Sequence, residues 1–148
     1  MKIYLASDHA GFELKNHLIG FLNAQGYTAI DKGPFSHDPN DDYPDYVSLV
    51  AEEILKEPND TRGIILGGSG QGEAMTVNRF KRIRAAVYYG GSEKIVKISR
   101  EDNNSNILSL GARFLKSEEA ESAVKLWLET AYSEDERHVR RLKKIDEN

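Results

Sequence analysis

The sequence predicts a parallel α/β fold, and three observations lead there. Short apolar runs alternate five times with stretches whose apolar residues recur at helical spacing. The connections are short, as expected for right-handed crossovers that cover both faces of a parallel sheet. The third apolar run passes straight into a glycine-rich loop and a helix, the place where open parallel sheets take ligands. With 148 residues, one domain spanning 1–148 is expected, long enough for a sizeable core.

The elements follow in order. Lys2 to Ser7, rich in Ile, Tyr and Leu, reads as a first strand of a covered sheet. After Asp8-His9-Ala10-Gly11, residues Phe12, Leu14, Leu18, Phe21 and Leu22 repeat at helical spacing as far as Gly26, a glycine stop. Tyr27 to Asp31 is a short second strand, and Lys32 to Asp42, with Gly33, Pro34 and Pro39, is an irregular loop. Tyr43-Pro44 opens a helix whose buried stripe is Val47, Val50, Ala51, Ile54 and Leu55, broken at Pro58-Asn59-Asp60.

Gly63 to Leu66 is the third strand, followed by glycines at 67, 68, 70 and 72 and a helix expected from Glu73 to about Phe80. Ile83 to Tyr88 is a fourth strand, Ser92 to about Asp102 a helix, and Asn106 to Leu110 a fifth strand. Ser117 offers an N-cap to a helix with Ala120, Ala123, Val124, Trp127 and Leu128 on its core face. The tail from Ser133 to Asn148 is charged and helical, with Val139, Leu142 and Ile145 as its apolar anchors.

Composition removes whole classes of function. Twenty Lys+Arg against 24 Asp+Glu give a net charge of −4, which disfavours general binding to nucleic acid or to membrane surfaces. The chain has no cysteine, so disulfides, zinc–thiolate sites and thiol nucleophiles are excluded. Its first apolar run is too short for a signal peptide or a membrane span, and a cytoplasmic location is the expectation.

The glycine loop is the centre of the functional reading. Gly68-Ser-Gly70-Gln-Gly72-Glu73 has the wrong spacing for a dinucleotide fingerprint, and it lacks the lysine of an NTPase phosphate loop. Glu73 would repel a phosphate brought to the loop. It could instead take a proton from carbon while Ser69 and the loop N–H groups stabilise the oxygen that becomes negative. The competing structural role is an acidic first-turn residue facing the helix dipole. Asp8 and His9, just beyond the first strand, fit either a cap and a turn or a ligand contact. His17 and His37 read as solvated surface groups.

A second constellation lies in the tail, in Glu136-Arg-His-Val-Arg-Arg141. Arg137 and Arg141 are four residues apart, so on a helix they share a face and suit a phosphate; His138 lies about 100° further round. A solvated charged tail is the alternative. Arg113, after the fifth strand, is a further candidate.

Ser7-Asp-His-Ala-Gly11, Asp42-Tyr-Pro-Asp-Tyr46, Gly67-Gly-Ser-Gly-Gln-Gly-Glu73, Asn78, Arg100-Glu-x-Asn-x-x-Asn106, Leu110-Gly-Ala-Arg113, and Arg137-His138 with Arg141 together resemble the ribose-5-phosphate isomerase B and galactose-6-phosphate isomerase family. The likeness runs from the first strand to the tail. It implies a Rossmann-like three-layer α/β/α sandwich and a homodimer or dimer of dimers, with active sites at the subunit interface. It also implies cofactor-free aldose–ketose isomerisation of a phosphorylated sugar.

One branch of that family uses a cysteine at the position of Gly67 as base. This chain resembles the other branch, whose base is a glutamate at the position of Glu73, working through a cis-enediolate with Ser69 and the amides around Gly68, Gly70 and Gly72 as oxyanion partners. The resemblance further implies that His9, Arg113, Arg137 and Arg141 hold the phosphate with His138 close by, that Asp8 and Tyr43 face the sugar, and that Asn103 contacts its oxygens. The family's ring-opening histidine is replaced here by Asp102. A carboxylate at its ordinary pKa is a poor acid at neutral pH. The expected reaction is ribose 5-phosphate to ribulose 5-phosphate, with a galactose or allose 6-phosphate, or phosphosugar binding without turnover, as alternatives.

Overall fold

The computed structural model describes residues 1–148. Five strands, β1 (Lys2–Ser7), β2 (Thr28–Asp31), β3 (Thr61–Gly67), β4 (Ala85–Tyr88) and β5 (Ile107–Gly111), form one parallel sheet in the order β2-β1-β3-β5-β4. Six helices accompany it: α1 (Phe12–Ala24), α2 (Tyr43–Lys56), α3 (Gln71–Val77), α4 (Lys94–Glu101), α5 (Ser117–Glu129) and α6 (Glu136–Asp146). This is the parallel α/β sheet that the alternation implied, with the Rossmann-like architecture that the family resemblance implied.

Because side chains alternate along a strand, the sheet feeds two cores. Ile3, Leu5, Ile64, Leu66, Leu108 and Leu110 point to one face and pack with Leu18, Leu22, Val96, Ala120, Val124 and Trp127 from α1, α4 and α5. Tyr4, Ala6, Ile65 and Ile107 point to the other and pack with Val47, Val50, Ala51, Ile54 and Val77 from α2 and α3. The chain reverses its direction of growth across the sheet between β1 and β3, so the crevice beyond their carboxyl ends is the topological switch point.

Several boundaries differ from the sequence expectation, each for a local reason. β3 is longer at both ends, because Thr61 and Arg62 pair with Lys2 and Ile3 of β1, and Gly67 pairs with Gly111 of β5. α3 opens at Gln71 rather than Glu73, since Gly70 takes a left-handed conformation (φ 78°) that turns the chain into the helix one residue later. It ends at Val77 because Asn78 leaves the helix to bind β4: its amide donates to the Ala85 carbonyl (3.1 Å) and accepts from the Ala85 N–H (2.7 Å). The N-cap of α5 is Lys116, not Ser117, with the Glu119 carboxylate accepting from the Lys116 N–H at 2.8 Å.

Two helices bury other residues than their apolar pattern suggested. In α1 the fully buried side chains include Lys15, whose Nζ donates to Asp31 (2.6 Å) and to the Pro34 carbonyl (2.7 Å), and so ties down the base of the loop at 32–42. In α6 only His138 and Leu142 are buried, while Val139 and Ile145 are 47% and 53% exposed.

Candidate functional site

The residues singled out from sequence fall into two groups, one at each end of the sheet. The first lies at the carboxyl ends of β1, β3 and β5. Gly67 closes β3, and a β-carbon placed on it would fall on the Glu73 carboxylate, so the Glu73 side chain occupies the space any side chain at 67 would need. Glu73 is 3% exposed. Burial pushes its carboxyl above the ordinary 4.5, its own backbone N–H partly opposes the rise, and the negative charge of Asp8 adds to it.

The loop around Glu73 is held from three sides. Arg113 lies against Gly68, and the Arg113 and Ala112 N–H groups donate to the Gly68 and Gly67 carbonyls at 3.1 and 2.8 Å. The phenol of Tyr43, the first residue of α2, lies against Gly72. Ser109 Oγ, buried in β5, donates to the Gly70 carbonyl at 2.6 Å. Ser69 Oγ accepts from the Gln71 N–H at 3.3 Å, which leaves its own proton available for donation. Asp8 accepts from the Gly11 N–H (3.1 Å), the turn-capping role, and it does so while its charge acts on Glu73.

His9 stands at the same end. Its Nδ1 lies 2.7 Å from Asp41 Oδ1, which also accepts from the His9 backbone N–H at 3.0 Å. The Asp41 side chain is 2% exposed. This pair fixes the ring and turns Nε2 outward. His37, expected to be merely solvated, meets the His9 ring edge-on at 6.3 Å. Asp41 was missed from sequence, although it directly precedes the Asp42-Tyr43-Pro44 motif; its role appears only once the loop at 32–42 folds back over the end of β1. Lys15 and Ser109 were missed as supports for the same reason.

The second group lies at the amino ends of the strands. Asp102 and Asn103 follow α4 and precede β5, whereas Glu73 and Ser69 follow β3. Gly63, at the foot of the paired stretch, donates to the Asn106 carbonyl at 2.9 Å, and Gly67, at its head, pairs with Gly111. The two groups are therefore separated along one chain by the paired strand, four residue steps or about 13 Å. His138 is buried with Nε2 3.4 Å from the Asp102 carboxylate, so it lies beneath the surface and not at the edge of α6. Arg137 and Arg141 are exposed on α6, and Arg137 meets only its neighbour Asp135, at 3.5 Å. The first group lies where an open parallel sheet takes ligands, beyond the carboxyl ends of its strands, and the second does not.

No helix is long and apolar enough to cross a membrane. A family model described as Ribose/Galactose Isomerase matches residues 3–145. The chain is 39% identical over 142 residues to ribose-5-phosphate isomerase B of Mycolicibacterium paratuberculosis, covering 96% of this chain and 87% of the relative. It is 40% identical over 143 residues to a probable ribose-5-phosphate isomerase B of Mycoplasma pneumoniae, covering 97% and 91%. The crystal structure of ribose-5-phosphate isomerase B from Mycoplasma genitalium with bound ribulose-5-phosphate matches with a TM-score of 0.93 at 36% identity, covering 99% of this chain and 94% of that one. A ribose 5-phosphate isomerase from Thermotoga maritima matches with a TM-score of 0.92 at 39% identity, covering 99% and 98%. With the family model spanning almost its whole length and these relatives agreeing with it, the chain belongs to the ribose/galactose isomerase family.

Proposed function

We propose that the chain interconverts ribose 5-phosphate and ribulose 5-phosphate, with Glu73 as the base. The observation that carries this reading is the Glu73 carboxylate itself: buried, held above its ordinary pKa and seated against Gly67 at the mouth of the crevice. A carboxylate so placed is a stronger base than one in water, the direction general-base work at neutral pH requires. The relatives named for this reaction support the choice of substrate.

In the forward direction Glu73 takes the proton from C2 of the open-chain aldose. The electron pair of that C–H bond forms the C1–C2 double bond, and charge develops on O1, giving a cis-enediolate. The Ser69 hydroxyl and the N–H groups around Gly68, Gly70 and Gly72 stabilise that charge. The O2 proton moves to O1, and Glu73 returns its proton to C1, which leaves the ketose and regenerates the carboxylate.

The phosphate sits at the far end of the sugar, away from Glu73, between His9 and Arg113 of one chain and Arg137 and Arg141 of a second. Two copies are needed because the second group of residues lies at the opposite end of its own sheet. A homodimer whose protomers exchange these ends completes two equivalent sites. The exposed Val139 and Ile145 on α6 and Met75 on α3, 68% exposed, support such a contact. Asp8 and Tyr43 bound the sugar beside Glu73, and Asn103 binds its oxygens from the second chain. Ring opening falls to Asp102 backed by His138. The His138 imidazole, 3.4 Å from the Asp102 carboxylate, adds a ring nitrogen that a lone carboxylate lacks, which weakens the alternative of binding without turnover.

A coupled assay with ribose 5-phosphate tests this. Glu73→Gln should lower turnover roughly 100-fold or more while phosphosugar binding persists; unchanged turnover would refute the assignment. In the wild type, kcat/KM should rise with pH through a midpoint displaced above 4.5, as burial of Glu73 in the free enzyme requires. The same displacement has a stability consequence. Folding favours protonated Glu73, so the wild type loses stability as pH rises from about 4.5 through the raised value. Glu73→Gln should therefore melt higher than the wild type at neutral pH, and the gap should close in acid.

A further inference from the structure

At the amino ends of the strands, the end of α2, the starts of β3 and β4 and the segment leading into α6 enclose a cleft of about 370 Å³. Its walls include Arg62, Arg82, Arg84, Asn104, Tyr132 and Asp146. None of the residues assigned above to proton transfer or to the sugar phosphate lines it.

The cleft holds more positive charge than its own carboxylates balance. Arg84 donates to both oxygens of Asp146, at 3.1 and 3.2 Å. Arg62 meets no carboxylate: its Nη1 reaches the neighbouring Thr61 carbonyl at 3.4 Å, and its Nε–H is buried without a partner. Arg100, behind the wall, donates only to the neutral oxygens of Thr130, Asn104 and Ser105. Burial and mutual repulsion hold Arg62 below its ordinary pKa and bring Arg100 down to about 10. Glu134 is the remaining carboxylate in the lining. Three guanidiniums in the lining thus face two carboxylates, an excess of one positive charge with Arg100 behind it.

Two further features point to a ligand. The Tyr132 hydroxyl, another buried donor of this cleft, also lacks a partner. The chain has three residues other than glycine with positive φ, Arg82 (71°), Asn104 (45°) and Glu134 (56°), and all three line this cleft. Side chains resist that conformation, and such strain gathers where a structure clamps a ligand. Buried, unsatisfied donors in a positively charged cavity are suited to an oxyanion. Ile54, Leu55 and Pro58 add an apolar wall, and the volume exceeds that of a bare phosphate.

We propose that this cleft is a second anion site, built for the phosphate group of a small phosphorylated molecule and separate from the site around Glu73. Arg62 Nε–H and the Tyr132 hydroxyl are its unfilled donors, and Arg82 and Arg84 supply the surrounding charge. Through Asp146 and Glu134 it touches both ends of α6, the helix that carries Arg137 and Arg141.

The test is a ¹H–¹⁵N titration of the arginine Nε–H signals of the whole protein with inorganic phosphate, against chloride at matched ionic strength. The Arg62 signal should shift and saturate with phosphate. Arg62→Met should weaken phosphate binding at the cleft at least about tenfold and leave KM for ribose 5-phosphate unchanged; Arg62→Lys, which keeps the charge and loses the fork, should fall between. An Arg62 signal that ignores phosphate overturns the proposal whatever the enzyme's activity. A raised KM in Arg62→Met overturns it too, since the cleft would then belong to the substrate site.

Discussion

The two ends of the sheet are built differently. At the carboxyl end, Glu73 is buried, its loop is pinned by Arg113, Tyr43 and Ser109, and His9 is fixed by the enclosed Asp41. At the amino end, Arg137 and Arg141 stand exposed on a helix that buries only His138 and Leu142. The first end is enclosed within one chain; the second leaves its arginines exposed. Proton transfer needs geometry fixed to a fraction of an ångström, which a backbone cradle provides. Holding a phosphate, the role proposed for Arg137 and Arg141, needs charge and reach, which long arginines supply.

The comparison can be broken from either side. Gly67→Ala drives a methyl group into the place of the Glu73 carboxylate. The carboxylate, the far end of a flexible side chain, has to move aside, and a displaced base should lower turnover about 100-fold, read in kcat. If Gly67→Ala keeps full kcat, the carboxylate is not the base in the position seen. Arg137→Ala should do the opposite, raising KM about tenfold with melting temperature and kcat nearly unchanged; a loss confined to kcat would move Arg137 out of phosphate binding. Asp41→Asn should have the smallest effect, a rise in KM of roughly threefold to tenfold as His9 loses its fixed orientation. An unchanged KM there would leave Asp41 only a loop support.

The two ends also differ in how much of them the sequence disclosed. The strand–helix alternation, both faces of the core and the glycine loop were legible, because each rests on local spacing: Ile3 and Leu5 against Tyr4 and Ala6, or Val47, Val50, Ala51 and Ile54 along α2. Glu73 was legible because it stands among glycines. Asp41, Lys15 and Ser109 were not, because their partners are distant in sequence and a polar residue looks alike whether it supports a site or meets water. For α6, periodicity named Val139, Leu142 and Ile145 as anchors, yet only Leu142 is buried on its own chain. Helical spacing groups apolar residues on one face without saying what lies against that face. Asp102 was read as a lost histidine, and its neighbour His138 became visible only when α6 was folded against the end of α4.

The claim that most needs testing is that one site draws on both ends, from two chains. Glu73→Gln removes the base and leaves the arginines, and Arg137→Ala combined with Arg141→Ala does the reverse. Assayed with ribose 5-phosphate well below the wild-type KM, each variant alone should be nearly inactive, the first through kcat and the second through KM. Co-refolded in equal amounts, they should recover about a quarter of wild-type turnover, because half the dimers are mixed and each of those has one intact site. Activity that stays at the level of the separate variants would contradict the shared site and return both ends to a single chain.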